Sequence, residues 1–271
     1  MADDLAELRY DIALANRMLG HEGVLDTFGH VSARHPHDPN RYLLSRSRAP
    51  ELVEPNDILE YTLDSKPVSE PAPPLYSERV IHGEIYKARP DVMAICHHHS
   101  PAFMPLVITG TDYVPVFHLG ASGGVKPPFW DQRKEFGHTN LLVVKPEEGA
   151  SLARRLGQHW MVLMNRHGVT VAGANLRDCV FRCIYSSYNA DFQVRAALFG
   201  KIDPLSPGEA AKAWGISTGT TGQGRGWEHW TERLRKAGGL PLAPAKTKSK
   251  EKSKAKAKSN AKSRRGKANR R

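Results

Sequence analysis

Apolar positions along the chain change period several times, and each change predicts an element. Leu5, Leu8, Ile12, Ala15 and Met18 recur at helical spacing, which predicts a helix over 3–19 with Gly20 as its stop. Short β-type runs follow at His30–Arg34, Tyr42–Ser45 and Ile58–Leu63. Ser77 is placed to N-cap a helix that reaches Arg89, where Pro90 ends it. The apolar run Val92–Cys96 reads as a buried strand that delivers the chain to His97. Leu141–Val144, Trp160–Asn165 and His167–Ala172 read as further strands, the last with Gly168 at its bend. Pro146 opens a helix through Leu156, and a long helix spans Leu176–Phe199 up to Gly200. Strands alternating with helices predict an α/β layered domain.

Composition narrows the class. The chain has 271 residues, 40% hydrophobic and 25% charged, which is ordinary globular composition. No window is long and apolar enough to span a bilayer, and the acidic start MADDLAELRY lacks the form of a signal peptide. Three cysteines (Cys96, Cys179, Cys183) suggest a reducing compartment rather than a disulfide framework, so a soluble cytoplasmic protein is expected. The net charge of +11 would point to nucleic acid if it covered the fold. It does not: residues 241–271 hold 13 of the 39 Lys and Arg and one acid, Glu251, while 1–240 balance to −1. The expectation is one folded domain over 1–240 and a disordered Lys/Ala/Ser/Arg-rich tail over 241–271. Such a tail can hold polyanions weakly, but no aromatic interleaves its charges to stack on single-stranded bases.

Candidate chemistry begins at Cys96-His97-His98-His99-Ser100-Pro101. On a strand, residues i and i+2 share a face, so His97 and His99 can converge on one ion while His98 points away. Imidazole suits zinc, iron, manganese and other borderline divalent metals. His167, at another strand start, is a possible third ligand, and three neutral ligands leave positions open for substrate oxygen. Thirteen histidines occur, so these residues alone support only a metal hypothesis. Glu78, in the first turn of the Ser77 helix with His82 one turn later, is by itself just a well-placed carboxylate at a helix N-terminus.

Four blocks in order resemble the class II aldolase/adducin family. They are Gly29-His30-Val31-Ser32; Ser77-Glu78-Arg79-Val80-Ile81-His82 with Ala88-Arg89-Pro90-Asp91; His97-His98-His99-Ser100; and Arg166-His167-Gly168-Val169. The resemblance spans roughly residues 5–200. It implies that His97, His99 and His167 bind one divalent metal per subunit (zinc, manganese, iron or cobalt) and that Glu78 is the catalytic acid/base. It also implies a three-layer α/β/α fold around a mostly antiparallel sheet, and a homotetramer with sites at subunit contacts.

One departure bears on the substrate. Sugar-phosphate members of that family cradle phosphate in a small glycine-containing loop, whereas here the stretch is Ser45-Arg46-Ser47-Arg48-Ala49-Pro50. His30 stands where asparagine is usual. Backbone cradling is weakened and two guanidiniums have appeared, which suit planar carboxylates. The Ser-Arg-Ser-Arg pattern is also similar to a decarboxylase branch that acts on 3-hydroxy-2-methylpyridine-4,5-dicarboxylate. The expected activity is a metal-dependent C–C lyase working through an enolate or carbanion, decarboxylating a non-phosphorylated hydroxy-aromatic or keto (di)carboxylate. His30, Ser32, Ser45, Arg46, Ser47, Arg48, His82 and His118 are the candidate substrate contacts, with Trp130-Asp131 a further possibility. Alternatives are an aldolase for a sugar phosphate or hydroxy-keto acid, a metal-dependent isomerase, epimerase or dehydratase, a metal oxygenase, and a non-catalytic adducin-like scaffold. A scaffold need not keep three histidines and Glu78 together.

Overall fold

A computed structural model describes residues 2–217 and 220–243. The expected tail, 241–271, lies outside the described residues apart from 241–243. Helix α1 spans Ala2–His21 and continues one residue past Gly20, whose position faces the Glu51 side chain; the left-handed turn comes later, at Gly23 with φ +70°. Strands β1 (His30–Arg34), β2 (Arg41–Ser45) and β3 (Ile58–Thr62) follow, then a 3-10 turn over Ser77–Arg79 and helix α2 (Val80–Ala88). Next come β4 (Ala94–His98), α3 (Met104–Thr109), β5 (Phe129–Trp130), α4 (Arg133–Phe136), α5 (Pro146–Leu156), β6 (Met161–Met164) and β7 (Gly168–Gly173). Helices α6 (Leu176–Ala196), α7 (Pro207–Ser217) and α8 (Thr220–Lys236) complete the fold.

The strands form one sheet in the order β3-β2-β1-β4-β7-β6-β5. Every pairing is antiparallel except β5 with β6, so the sheet is mixed at that edge. Alternation sorts its two faces. Val31, Ala33, Ala94, Cys96, Val169 and Val171 pack with α1 and α6 in one core. Leu44, Ile95, Val162 and Ala172 pack with α2 and α5 in the other. The expected α/β/α layering follows.

Two expectations fail locally. Leu141–Val144 is not a strand: Leu141 sits at φ +69°, which breaks an extended run, and the Val143 amide donates to Glu78 instead of a ladder. The edge position belongs to Phe129–Trp130. Ser77 does not cap the α-helix either. Glu78 has φ −90° and ψ 16°, a non-helical pair inside the 3-10 turn that kinks the chain ahead of α2.

Candidate metal centre

Register brings the first residues together. His30 on β1 lies opposite His97 on β4, and His97 lies opposite Thr170 on β7. All three point to the α2/α5 side of the sheet. His98 turns to the opposite side, where it is buried beside Phe103, as alternation predicts. His99 leaves the end of β4, and His167 comes from the β6–β7 turn. That turn requires Gly168, since a Cβ there would lie 2.4 Å from the His98 carbonyl oxygen. The kink at Glu78 aims its carboxylate at the same point.

The result is a cluster of Glu78, His97, His99 and His167 whose ligand atoms all lie within 4.8 Å of one another. His97 Nε2 is 3.1 Å from His99 Nε2 and 3.7 Å from Glu78 Oε2, and His167 Nε2 is 3.5 Å from Glu78 Oε1. Outer partners orient two of the rings. The Thr170 hydroxyl donates to Met164 Sδ at 3.3 Å, so its oxygen is left to accept from His97 Nδ1–H at 3.2 Å. His99 Nδ1–H donates to the Asp26 carboxylate at 3.2 Å. Both assignments leave bare Nε2 lone pairs facing each other at 3.1 Å, an arrangement that a cation relieves. Burial, then the neighbouring histidines, push His97 well below its ordinary pKa, and a neutral imidazole is the form that ligates. Burial pushes Glu78 upward, but His167, the Val143 amide and His30 outweigh it and hold the carboxyl below its usual range. The donor set therefore fits one divalent ion, with Glu78 as a fourth ligand or a base beside it.

The cluster opens into a cavity of about 760 Å³. Its walls are Thr27, Phe28 and His30 on one side and Ser47, Arg48 and Tyr76 on another, with Asn140–Leu142 and Arg166 closing it. Of the candidate substrate contacts, His30, Ser47 and Arg48 line it. Arg46 does not; it donates from Nε to Asp57 Oδ1 at 2.6 Å, and Arg48 donates from Nη1 to Asp57 Oδ2 at 2.6 Å. Ser45 is buried, with Oγ bonded to the Arg46 carbonyl and near the Tyr76 hydroxyl. Ser32 and His82 lie behind His30, inside the protein, and do not line the cavity. His118 is exposed beside Phe117, away from the cavity of its own chain. Trp130 is spent on Ser151, and Asp131 pairs with Arg133.

Asp26, Asp57, Tyr76, Thr170 and the Asn140–Leu142 wall were not foreseen. Asp26, Asp57 and Thr170 act through a partner on another segment, and Tyr76 and Asn140–Leu142 reach the cavity only once the chain is folded, so no local spacing marks them.

Comparison with known proteins places the chain in a family and supports the fold. Residues 10–194 match the family model described as the class II aldolase and adducin N-terminal domain. The decarboxylase tropJ of Talaromyces stipitatus is 34% identical over 183 residues, covering 63% of this chain and 69% of that protein. The 3,4-dihydroxyphthalate decarboxylase of Arthrobacter keyseri is 30% identical over 199 residues, covering 66% and 74%. Among solved structures, an aldolase II superfamily protein from Pseudomonas syringae superposes with TM-score 0.72 at 19% identity, covering 87% of this chain and 94% of that one. The L-fuculose 1-phosphate aldolase of Glaciozyma antarctica superposes at 0.71 with 20% identity, covering 88% and 93%, and shares the fold. On the family match and the 34% relative together, the chain belongs to the class II aldolase and adducin N-terminal domain family.

Proposed function

We propose that the protein is a divalent-metal-dependent decarboxylase of a non-phosphorylated hydroxy-aromatic or keto (di)carboxylate. The observation that carries the reading is the convergence of three imidazoles and Glu78 at one end of an open cavity. The two relatives named as decarboxylases support the reaction, and the name of one specifies an aromatic dicarboxylate. A bound ion would supply Lewis acidity, stabilising negative charge on a substrate oxygen as the C–C bond breaks.

The chain's own groups do the rest. Arg48, buttressed by Asp57, holds a carboxylate in the cavity through charge-assisted hydrogen bonds. Glu78, ionised, takes the proton of a substrate hydroxyl. The bond to the leaving carboxylate breaks, its electron pair stays on carbon, and CO₂ departs. Glu78 returns the proton to that carbon, so one hydrogen has moved from oxygen to carbon and the charge is conserved. Phe28 and Leu142 give the cavity an apolar margin that strengthens these electrostatic contacts.

The test combines metal analysis with a carboxylate screen. Purified protein should hold close to one divalent ion per chain; His97→Ala, His99→Ala and His167→Ala should each lose it, and His98→Ala should keep it. CO₂ release should follow from ortho-hydroxy aromatic dicarboxylates, and Glu78→Gln should lower turnover by roughly 10²-fold or more with the ion retained. A protein that binds no divalent ion, or that cleaves a ketose 1-phosphate at least as well as any di-acid, would overturn the assignment.

A further inference from the structure

Behind the cavity wall, a line of hydrogen bonds runs from His30 into the core. His30 Nδ1 meets His82 Nε2 at 2.7 Å, His82 Nδ1 meets Ser32 Oγ at 2.6 Å, and Ser32 Oγ meets the Tyr86 hydroxyl at 2.8 Å. All four residues are buried: His82 and Ser32 at 0% exposure, His30 and Tyr86 at 1%. The line joins β1 to α2 and holds none of the cluster residues.

We propose that this line has a single polarity, set at Tyr86, which locks His30 as the neutral Nε2–H tautomer and makes it a fixed hydrogen-bond donor to a negatively charged substrate oxygen. The polarity follows from counting hydrogens. The phenol, the hydroxyl and the two neutral imidazoles carry one each, and the three contacts use one apiece. One hydrogen is left over: on His30 if the line runs outward, and otherwise on Tyr86, or on Ser32 if its oxygen accepts from both neighbours. Among the described residues, Ser32 Oγ is the one hydrogen-bond partner of the Tyr86 hydroxyl. If His30 donated inward, the spare hydrogen would sit on that phenol or on the Ser32 hydroxyl, and in either place it would be buried with no acceptor among the described residues. If Tyr86 donates to Ser32, Ser32 to His82 and His82 to His30, every buried donor is used. The spare hydrogen then stands on His30 Nε2, on a residue that lines the cavity.

The same polarity limits what His30 can do. Were Nε2–H to pass its proton to a substrate, each group behind would have to pass one forward, and the charge left behind would be a phenolate at Tyr86. Burial disfavours that ion: the Tyr86 phenol is raised above its ordinary range, chiefly by desolvation. The line thus orients a donor and does not supply protons, which leaves proton transfer to Glu78. In this scheme Tyr86, Ser32 and His82 are positioning residues. The nature of the acceptor, a carboxylate or phenolate oxygen, rests on the decarboxylase reading; the tautomer does not.

The measurement is a long-range ¹H–¹⁵N correlation spectrum of protein labelled with ¹⁵N-histidine, recorded without metal and with zinc, which is diamagnetic. The signals of His30 and His82 are identified by their disappearance in His30→Asn and His82→Gln. In both states His30 should show a protonated Nε2 and a bare Nδ1, and so should His82. Ser32→Ala cuts the line from its terminal donor and should give His30 a mixture of both neutral tautomers. The wild-type spectrum decides by itself if that variant does not fold. A wild-type His30 protonated on Nδ1, or on both nitrogens, overturns the proposal, as does a folded Ser32→Ala variant whose His30 shifts are unchanged. Loss of zinc binding, with the His30 pattern intact, would count against the metal reading and leave this one standing.

Discussion

Asp57 holds two guanidiniums on one carboxylate. Arg46 and Arg48 each donate to it at 2.6 Å, and the Glu54 amide adds a third bond at 2.8 Å. Burial alone would raise this carboxyl, but the Glu54 amide and the two arginines outweigh it, and its pKa lies below the ordinary 3.8. A depressed carboxyl stabilises the fold above its unfolded pKa and loses that contribution as pH falls through the folded one. Asp57→Asn should therefore cost about 2 kcal/mol near neutrality. The gap in melting temperature between wild type and variant should stay level from pH 7 to 5 and shrink below about pH 4. Because Arg48 loses its buttress, KM for a di-acid should rise more than kcat falls. An unchanged KM would remove Arg48 from substrate binding. At this scale, what a sequence reveals depends on whether the partners share one element. The separation of His97 and His99 from His98 follows from a period of two, so a single strand suffices to see it. The hold of Asp57 on Arg46 and Arg48, and the line from His30 to Tyr86, join residues on different elements. Their pairing exists only once β1, β2, β3 and α2 are assembled.

Elements differ in the same way. Those with a clean period, such as β1 and α5, appear at the residues their patterns predict. Helices α7 and α8 gave no such signal. Gly222, Gly224 and Gly226 lie within α8 and weaken its intrinsic propensity, so tertiary docking has to hold it. Trp227 and Trp230 are buried in that contact, and a Cβ at Gly226 would crowd the Trp230 ring at 2.8 Å. The C-terminal pair is pinned to α6 through Arg182. Its guanidinium lies 4.7 Å from the Trp160 ring and 4.0 Å from the Trp214 ring, donates to Asp178 at 2.9 Å, and caps the Ser122 carbonyl at 2.9 Å. Asp178 also accepts from Gln223 on α8 at 2.9 Å. Arg182→Met would leave a buried carboxylate without its cation and should cost about 3–5 kcal/mol. Lysine should rescue little, since it keeps charge but neither the planar stack nor the fork. Chemical denaturation measures the loss; metal content should persist, because the helices lie across the sheet from the cluster. A cost under about 1 kcal/mol would mean that the pair is solvated and the pin is not structural.

Across the whole molecule, structure and charge divide at different points. The layered α/β body carries the cluster and the cavity, while the excess positive charge, +12, belongs to residues 241–271. The body itself is near neutral at −1, so long-range attraction for polyanions has to come from the C-terminal stretch. Composition places the start of that stretch at 241, but packing places the end of the body slightly later. Leu240 packs against the core, Pro241 is buried, and the Leu242 amide donates to Glu54 at 2.7 Å. Glu54 in turn is ion-paired to Arg17 on α1, which also donates to the Gly239 carbonyl at 3.1 Å. This short clasp is invisible to charge counting because residues 241–243 carry no charge. Two truncations separate the two boundaries. A stop after Ala243 removes all of the +12 and none of the clasp, so retention on heparin should collapse while melting temperature, metal content and turnover stay where they are. A stop after Gly239 removes the same charge together with Leu240 and the Leu242 contact. It should bind heparin no more weakly than the first, yet lose about 1–2 kcal/mol from the lost burial and hydrogen bond. Equal stability of the two truncated proteins would show that the clasp adds nothing to the fold. Full heparin retention in either would place the polyanion site on the body, against its near-zero charge.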